Sequence, residues 1–131
     1  MDKEKRAMMN LVSIAQVGDA VYAARIRTLL LRLHPYSKPN ALHQKYATIE
    51  SARFQAKCLE YLIEIDFFDA DELDIINRAK NKSTQTRAKN ASKEEYRLAT
   101  ALEAIIGYYK MDQNDDRLHE IFEIIYEKCG E

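Results

Sequence analysis

The sequence predicts an all-α fold, a bundle of six or seven helices that forms a single domain over residues 1–131. The chain has only three glycines and two prolines, too few for the many turns of an all-β protein. Apolar residues make up 47% and charged residues 31% of the chain, as is typical of globular proteins. Apolar residues also recur at intervals of three and four along most of its length, as in amphipathic helices.

The first two helices are predicted to be separated by a break at Gly18. The first covers Lys5–Gln16, where apolar residues at helical spacing form one face. Gly18 favours a bend, and Asp19, a residue type preferred at helix N-termini, is expected to begin the second helix as its N-cap. That helix ends at about Leu33, because Pro35 disfavours helical conformation at the residue before it.

The middle of the chain is predicted to hold one long helical segment and one short helix. The long segment begins at Pro39, a residue suited to the first turn of a helix, and extends as far as Ile65 with a break at Thr48–Ser51. A turn is expected over Asp66–Ala70, and the short helix after it ends at about Lys80.

The last third of the chain is predicted to be a loop followed by two helices. The loop, Asn81–Ala91, is polar and basic and lacks an apolar period. Ser92 and Glu95 have the spacing of a capping box, which opens a helix over Lys93–Met111. Asn114 or the aspartate after it caps the final helix.

Basic residues are concentrated around that loop, although the formal net charge of the chain is only −1. Such a local basic surface attracts polyanions even on a nearly neutral protein. Seven lysines and arginines against two acids lie in this region: Arg78, Lys80, Lys82, Arg87, Lys89, Lys93 and Arg97.

The sequence shows no pattern of a zinc site, a disulfide framework, a secretion signal or a membrane span. Cys58 and Cys129 lie in helical patterns, which indicates thiols of a reducing compartment. His34, His43 and His119 lack the spacing of zinc ligands. No apolar run has the length of a signal-peptide core or a membrane helix. We therefore expect a soluble, cytoplasmic protein with no membrane contact.

Two carboxylates stand out because they lie among small and apolar residues of predicted helices. Asp19 follows Gly18 and precedes Ala20, and Glu103 lies between apolar neighbours with Gly107 one turn later. Taken alone, Asp19 is interpreted as a helix cap and Glu103 as a helix-surface residue. Taken together, two isolated carboxylates in apolar helices favour a site for a hard metal ion.

These two stretches resemble the catalytic signatures of the ribonuclease III family. The resemblance is greatest to Mini-ribonuclease III, the bacterial branch that lacks a double-stranded-RNA-binding domain. Further stretches match in family order over almost the whole chain: Gly18–Ala20, Lys38–His43, Ser51–Ala56, Arg78–Asn81, Lys89–Asn90, Tyr96–Arg97 and Leu102–Gly107.

The resemblance implies a ribonuclease III-like helical bundle that forms a homodimer around double-stranded RNA. It implies hydrolysis of phosphodiester bonds that depends on Mg²⁺, with Mn²⁺ as a substitute, and a precursor of 23S ribosomal RNA as the substrate. Asp19 is then expected to bind the metal and orient the attacking water, and Glu103 to be the second metal ligand. Such a set is sufficient for Mg²⁺, which often keeps several waters.

The sequence also departs from the full-length enzymes of the family. Ala15 and Thr100 stand one turn before the two carboxylates, where full-length ribonuclease III has two further acids. Mini-ribonuclease III is similar in lacking both acids, which supports this branch but not a tightly held second metal. Gln16 stands where the branch more often has an aromatic residue, and nothing in the sequence explains it.

The basic region is predicted to contact RNA, because A-form RNA is bound mainly through its phosphates and 2′-hydroxyls. Two alternatives stay open: a helical dimer that binds double-stranded RNA without cutting it, and a helical adaptor that binds proteins through its acidic C-terminal helix. The residues expected at the RNA are Arg78, Lys80, Asn81, Lys82, Thr84, Arg87 and Lys89.

Overall fold

The fold consists of seven helices in a computed structural model that describes residues 1–82 and 92–130. Every regular element in these two ranges is an α-helix, which confirms the predicted all-α class. The helices are α1 (Lys3–Met8), α2 (Leu11–Leu33), α3 (Pro39–Ile49), α4 (Ala52–Glu64), α5 (Ala70–Lys82), α6 (Lys93–Met111) and α7 (Asp115–Cys129).

Helix α6 lies at the centre of the bundle and packs against α2, α4, α5 and α7. Ten of its residues are buried, and Leu102, Ile105 and Tyr109 have no exposed surface. Its surroundings are therefore apolar on several sides, which is unusual for a helix that carries an acid such as Glu103. No helix in the described ranges is both long and apolar enough to cross a membrane.

The predicted break at Gly18 is wrong. Helix α2 runs without interruption from Leu11 to Leu33, and Asn10 caps it by accepting hydrogen bonds from two backbone N–H groups of the first turn. Asp19 therefore lies in the interior of a helix and does not cap one. A glycine inside a helix costs about 1 kcal/mol relative to alanine, so its presence here requires a compensating contact.

The predicted first helix, Lys5–Gln16, is wrong because Asn10 caps α2 and separates it from α1, and α5 extends to Lys82, two residues beyond its predicted end. Three other predicted boundaries are confirmed. Glu50 and Ser51 separate α3 from α4, and the Ser51 hydroxyl accepts from the N–H of Phe54. Ser92 and Glu95 form both bonds of the predicted capping box at the start of α6. Asn114 caps α7.

The contact that compensates for Gly18 is a close crossing of α2 and α6. A methyl group built on Gly18 would lie 1.7 Å from the carbonyl oxygen of Glu103. A methyl group on Gly107 would lie 2.0 Å from the carbonyl oxygen of Ile14. Both distances are far inside van der Waals contact, and the atoms that would be struck belong to helix backbone. Only glycine at these two positions allows the helices to approach so closely.

A half-buried ion pair fixes the other side of the bundle. Arg117 on α7 donates two hydrogen bonds to the buried carboxylate of Glu72 on α5, at 2.6 and 3.0 Å. The same guanidinium donates to the carbonyl of Phe67 at 2.8 Å and stacks on the Phe67 ring. These bonds join α5, α7 and the turn that precedes α5.

We expect Gly18→Ala and Gly107→Ala each to destabilise the protein, because the new methyl group must separate α2 from α6. Overpacking of this kind costs about 1–3 kcal/mol or more, and neither backbone can move aside locally. Urea denaturation measures the free energy of unfolding. Gly130→Ala is the matched control, since its methyl group would lie at an ordinary 3.6 Å from the nearest atom. Equal stabilities of all three variants would contradict the proposed role of the crossing.

Candidate active site

The glycine crossing places the two predicted acids side by side. Gly18 packs on the backbone of Glu103, so the next residue of α2, Asp19, begins at the edge of that contact. Asp19 is exposed, whereas Glu103 is half-buried between Leu102 and Ala104, which have no exposed surface. Two acids that are far apart in the sequence thus come together at the edge of the crossing.

The carboxyl group of Glu103 is in an environment that disfavours its charged form. Burial, a hydrogen-bonding contact with Asp19 and the negative charge of Asp19 raise the pKa of Glu103 to about 9. Two carboxylates at such short range are stable only when they share a proton or a cation. The arrangement is therefore suited to binding a positive ion.

A third side chain, Gln55 on α4, reaches the same carboxyl group. Gln55 is only 3% exposed, and its hydrogen-bonding contact with Glu103 acts against the rise in the pKa of that acid. Sequence reasoning missed this residue. The pattern that indicates it is a polar residue on the apolar face of α4: Gln55 lies three positions before Cys58 and four before Leu59, both of which are buried.

Two side chains of α2 hold the junction between α3 and α4 beside the acids. The Tyr22 hydroxyl donates a hydrogen bond of 2.6 Å to the carbonyl of Ile49, the last residue of α3. The Arg27 guanidinium donates two bonds to Glu50, at 2.8 and 2.9 Å, and lies over the Tyr46 ring. The start of α4 is thereby tied to the helix that carries Asp19.

The donor set fits one magnesium ion that keeps part of its water shell. No group of three or more His, Cys, Asp or Glu residues in the described ranges could form a protein-only metal cage. Ala15 is buried and offers no ligand, and the Thr100 hydroxyl donates to the carbonyl of Tyr96. Mg²⁺ is commonly bound by one or two carboxylates together with waters and substrate phosphate, so the two acids are sufficient.

The predicted RNA-contact residues on α5 differ in whether other parts of the chain already bind them. The Arg78 guanidinium donates to the carbonyls of Arg6 and Ala7, both at 3.2 Å, and so ties α5 to the end of α1. Lys80 forms an ion pair of 2.8 Å with Glu94 at the start of α6.

The remaining predicted contacts lie at or beyond the end of α5. Asn81 and Lys82 are exposed on its last turn, and Lys82 has no ion pair within residues 1–82 and 92–130. Thr84, Arg87 and Lys89 fall outside the described residues. Among the predicted RNA-contact residues that the structure describes, Lys82 is therefore the basic side chain that can contact RNA without first breaking an ion pair.

Comparison with known proteins identifies relatives over most of the chain. A model of the ribonuclease III domain matches residues 13–114. Mini-ribonuclease 3 of Staphylococcus aureus is 39% identical over 114 residues, which are 87% of this chain and 84% of that protein. Mini-ribonuclease 3 of Streptococcus pneumoniae is 37% identical, with 87% and 88% covered. The crystal structure of a Fusobacterium nucleatum protein superposes with a TM-score of 0.78 at 28% identity, over 88% of this chain and 91% of that one.

Glu103→Gln should stabilise the metal-free protein at alkaline pH. The raised pKa means that the folded state retains a proton that the unfolded chain releases, so wild-type stability falls as the pH rises from about 5 towards 9. Glutamine mimics the protonated acid and removes this slope. At pH 8 in a chelator we expect a gain of about 1–3 kcal/mol by urea denaturation.

The matched control for this measurement is Glu60→Gln, at an exposed position of α4. It should leave the pH dependence of stability as in the wild type. Parallel pH profiles for the wild type and Glu103→Gln would show that the surroundings of the carboxyl group do not raise its pKa.

Proposed function

The chain belongs to the ribonuclease III family, and from this membership we propose that it is a metal-dependent endoribonuclease that hydrolyses double-stranded RNA. The observation that carries the proposal is the contact between Asp19 and Glu103, which two glycines make possible. The relatives that bear the name Mini-ribonuclease 3 support the same class of reaction, and the chain covers most of their length.

Asp19 and Glu103 are the residues that would hold the magnesium ion. When bound, Mg²⁺ or the substitute Mn²⁺ supplies an activated water and stabilises charge on the leaving oxygen. Asp19 is exposed on α2 and presents its carboxylate to an incoming phosphate and to water. Glu103 is half-buried and held by the core helix, so it provides the fixed half of the site. Their mutual repulsion keeps the pair ready for a cation.

Double-stranded RNA is the substrate that the basic end of α5 suits. The side chains proposed to contact its backbone include the exposed Lys82 and Asn81, whereas Arg78 would act by fixing the direction of α5 against α1. Lys80 shares its charge with Glu94, so its contribution to phosphate binding is expected to be smaller.

We also propose that the protein acts as a homodimer on a precursor of 23S ribosomal RNA, as the family resemblance implies. The outer side of α2 supports association with a second copy. Val12 and Leu31 are 41% and 50% exposed there, and Ala20 and Ala24 are exposed between them. Exposed apolar side chains on one helix, here interspersed with the exposed Gln16 and Arg27, support a surface that a second copy would cover.

Asp19→Asn should abolish cleavage and preserve the fold. Asparagine has nearly the same shape but no negative charge, so the metal loses an anionic ligand. The loss of several kcal/mol of charge stabilisation corresponds to a rate decrease of about 10³-fold or more. The measurement is cleavage of a labelled double-stranded RNA in Mg²⁺, with circular dichroism as the test of folding.

The matched control is Asp116→Asn, at an exposed acid of α7. It should cleave as the wild type does. Full activity of Asp19→Asn in Mg²⁺ would overturn the proposed site. A wild-type protein that retards double-stranded RNA in gels but cuts it with neither Mg²⁺ nor Mn²⁺ would instead identify a non-catalytic RNA-binding protein.

Lys82→Ala should weaken RNA binding in a salt-dependent way. Each lost phosphate contact lowers the slope of log Kd against log salt concentration by about 0.9. Gel retardation in the Asp19→Asn background avoids cleavage during the measurement. Lys110→Ala, at an exposed lysine that precedes Asp112 and Asp115 in the sequence, is the control that should leave the slope unchanged. Equal slopes for both variants would exclude Lys82 from the interface.

A further inference from the structure

Gln55 is a buried polar side chain that the packing of the bundle does not require. In the described ranges it is one of two buried polar or charged residues, and the other, Glu72, has Arg117 as its partner. Burying an amide costs free energy unless it forms hydrogen bonds, and leucine or methionine would fill similar space without that cost. The side chain that Gln55 contacts is Glu103.

The position of Gln55 is set by the same helix that carries Asp19. Ser51 caps α4, and the N–H of Gln55 donates to the Ser51 carbonyl at 3.0 Å in the first turn. Tyr22, one turn after Asp19, anchors the preceding carbonyl of Ile49. Helix α2 therefore determines both the location of the exposed acid and the start of the helix that delivers the amide.

The amide of Gln55 can supply Glu103 with a hydrogen-bond donor, which an ionised Asp19 cannot do. A carboxylate can accept several hydrogen bonds, and Asp19, when ionised, can only accept them. The NH₂ group of Gln55 is a donor, and it approaches from α4 while Asp19 approaches from α2. The amide can thus donate to the Glu103 carboxylate while Asp19 contacts the same carboxyl group.

We infer that Gln55 is a positioning residue, whose amide N–H holds the Glu103 carboxylate in the orientation in which it binds a divalent cation together with Asp19. This inference rests on the proposed function. Side chains that hold metal ligands in place restrict their rotation, and their loss typically weakens metal affinity by about 10–100-fold. Gln55 touches neither the substrate nor the metal in this role and acts through Glu103.

The test is Gln55→Met, which keeps the volume of the side chain and removes its donor. Electron paramagnetic resonance of Mn²⁺ titrated into the RNA-free protein measures metal affinity without any turnover. We expect the dissociation constant to rise about 10-fold or more. Leu62→Val, at a buried position of the same helix, is the control for a general loss of packing and should leave Mn²⁺ affinity within twofold of the wild type.

A double-mutant cycle separates positioning from a structural effect. In the Glu103→Gln background, Gln55→Met should have no further effect on Mn²⁺ affinity, because the ligand that it positions is already altered. An undiminished effect in that background would overturn the inference, as would an unchanged affinity of Gln55→Met alone. Gln55→Leu repeats the measurement if the methionine variant does not fold.

The same titrations distinguish this inference from the proposed function. A wild-type protein that binds Mn²⁺ and cleaves RNA, beside a Gln55→Met variant that does both equally well, would overturn the role of Gln55 alone. A wild-type protein that neither binds Mn²⁺ nor cleaves RNA would overturn both the metal site and the residue said to position it.

Discussion

The contact of α2 with α6 at Gly18 and Gly107 is the constraint on which the candidate site depends. Each glycine lies against a backbone carbonyl of the other helix, so close that a β-carbon at either position would overlap that carbonyl. The helices are brought together where Asp19 and Glu103 project, so their separation is set by backbone packing. A wider crossing would still bury apolar residues of both helices, but it would separate the acids. The core thus determines the chemistry at its edge.

The same crossing creates an unfavourable interaction. Glu103 is part of the central helix, and its carboxyl group is partly desolvated and faces another acid. A metal-free protein is expected to hold this pair at a cost in stability, which is common where a site is arranged for binding. Gln55 on α4 offsets part of that cost, and Arg27 on α2 lies in the field of Asp19, so two of the helices around the acids each contribute one compensating group.

The basic surface is assembled differently from the acidic pair. Arg78 and Lys80 are bound to other parts of the bundle, and they connect α5 to α1 and α6. They fix the position of α5, and the basic segment of residues 83–89 follows α5 in the sequence. Basic residues that look alike in a charge pattern therefore divide into those that build the scaffold and those, such as Lys82, that remain exposed.

The sequence alone determined the helical class, the break between α3 and α4 and the capping of α6 by Ser92. Apolar periodicity and helix caps act within a few residues, so these features can be predicted locally. The sequence also indicated Asp19 and Glu103 as a pair, through their apolar neighbours and the family resemblance. Only the tertiary structure decided that Gly18 continues a helix. A glycine that ends a helix and one that admits a neighbouring helix look the same until α6 is in place. The role of Arg78 and the contact of Gln55 with Glu103 likewise involve residues far apart in the sequence, and no local pattern encodes such distances.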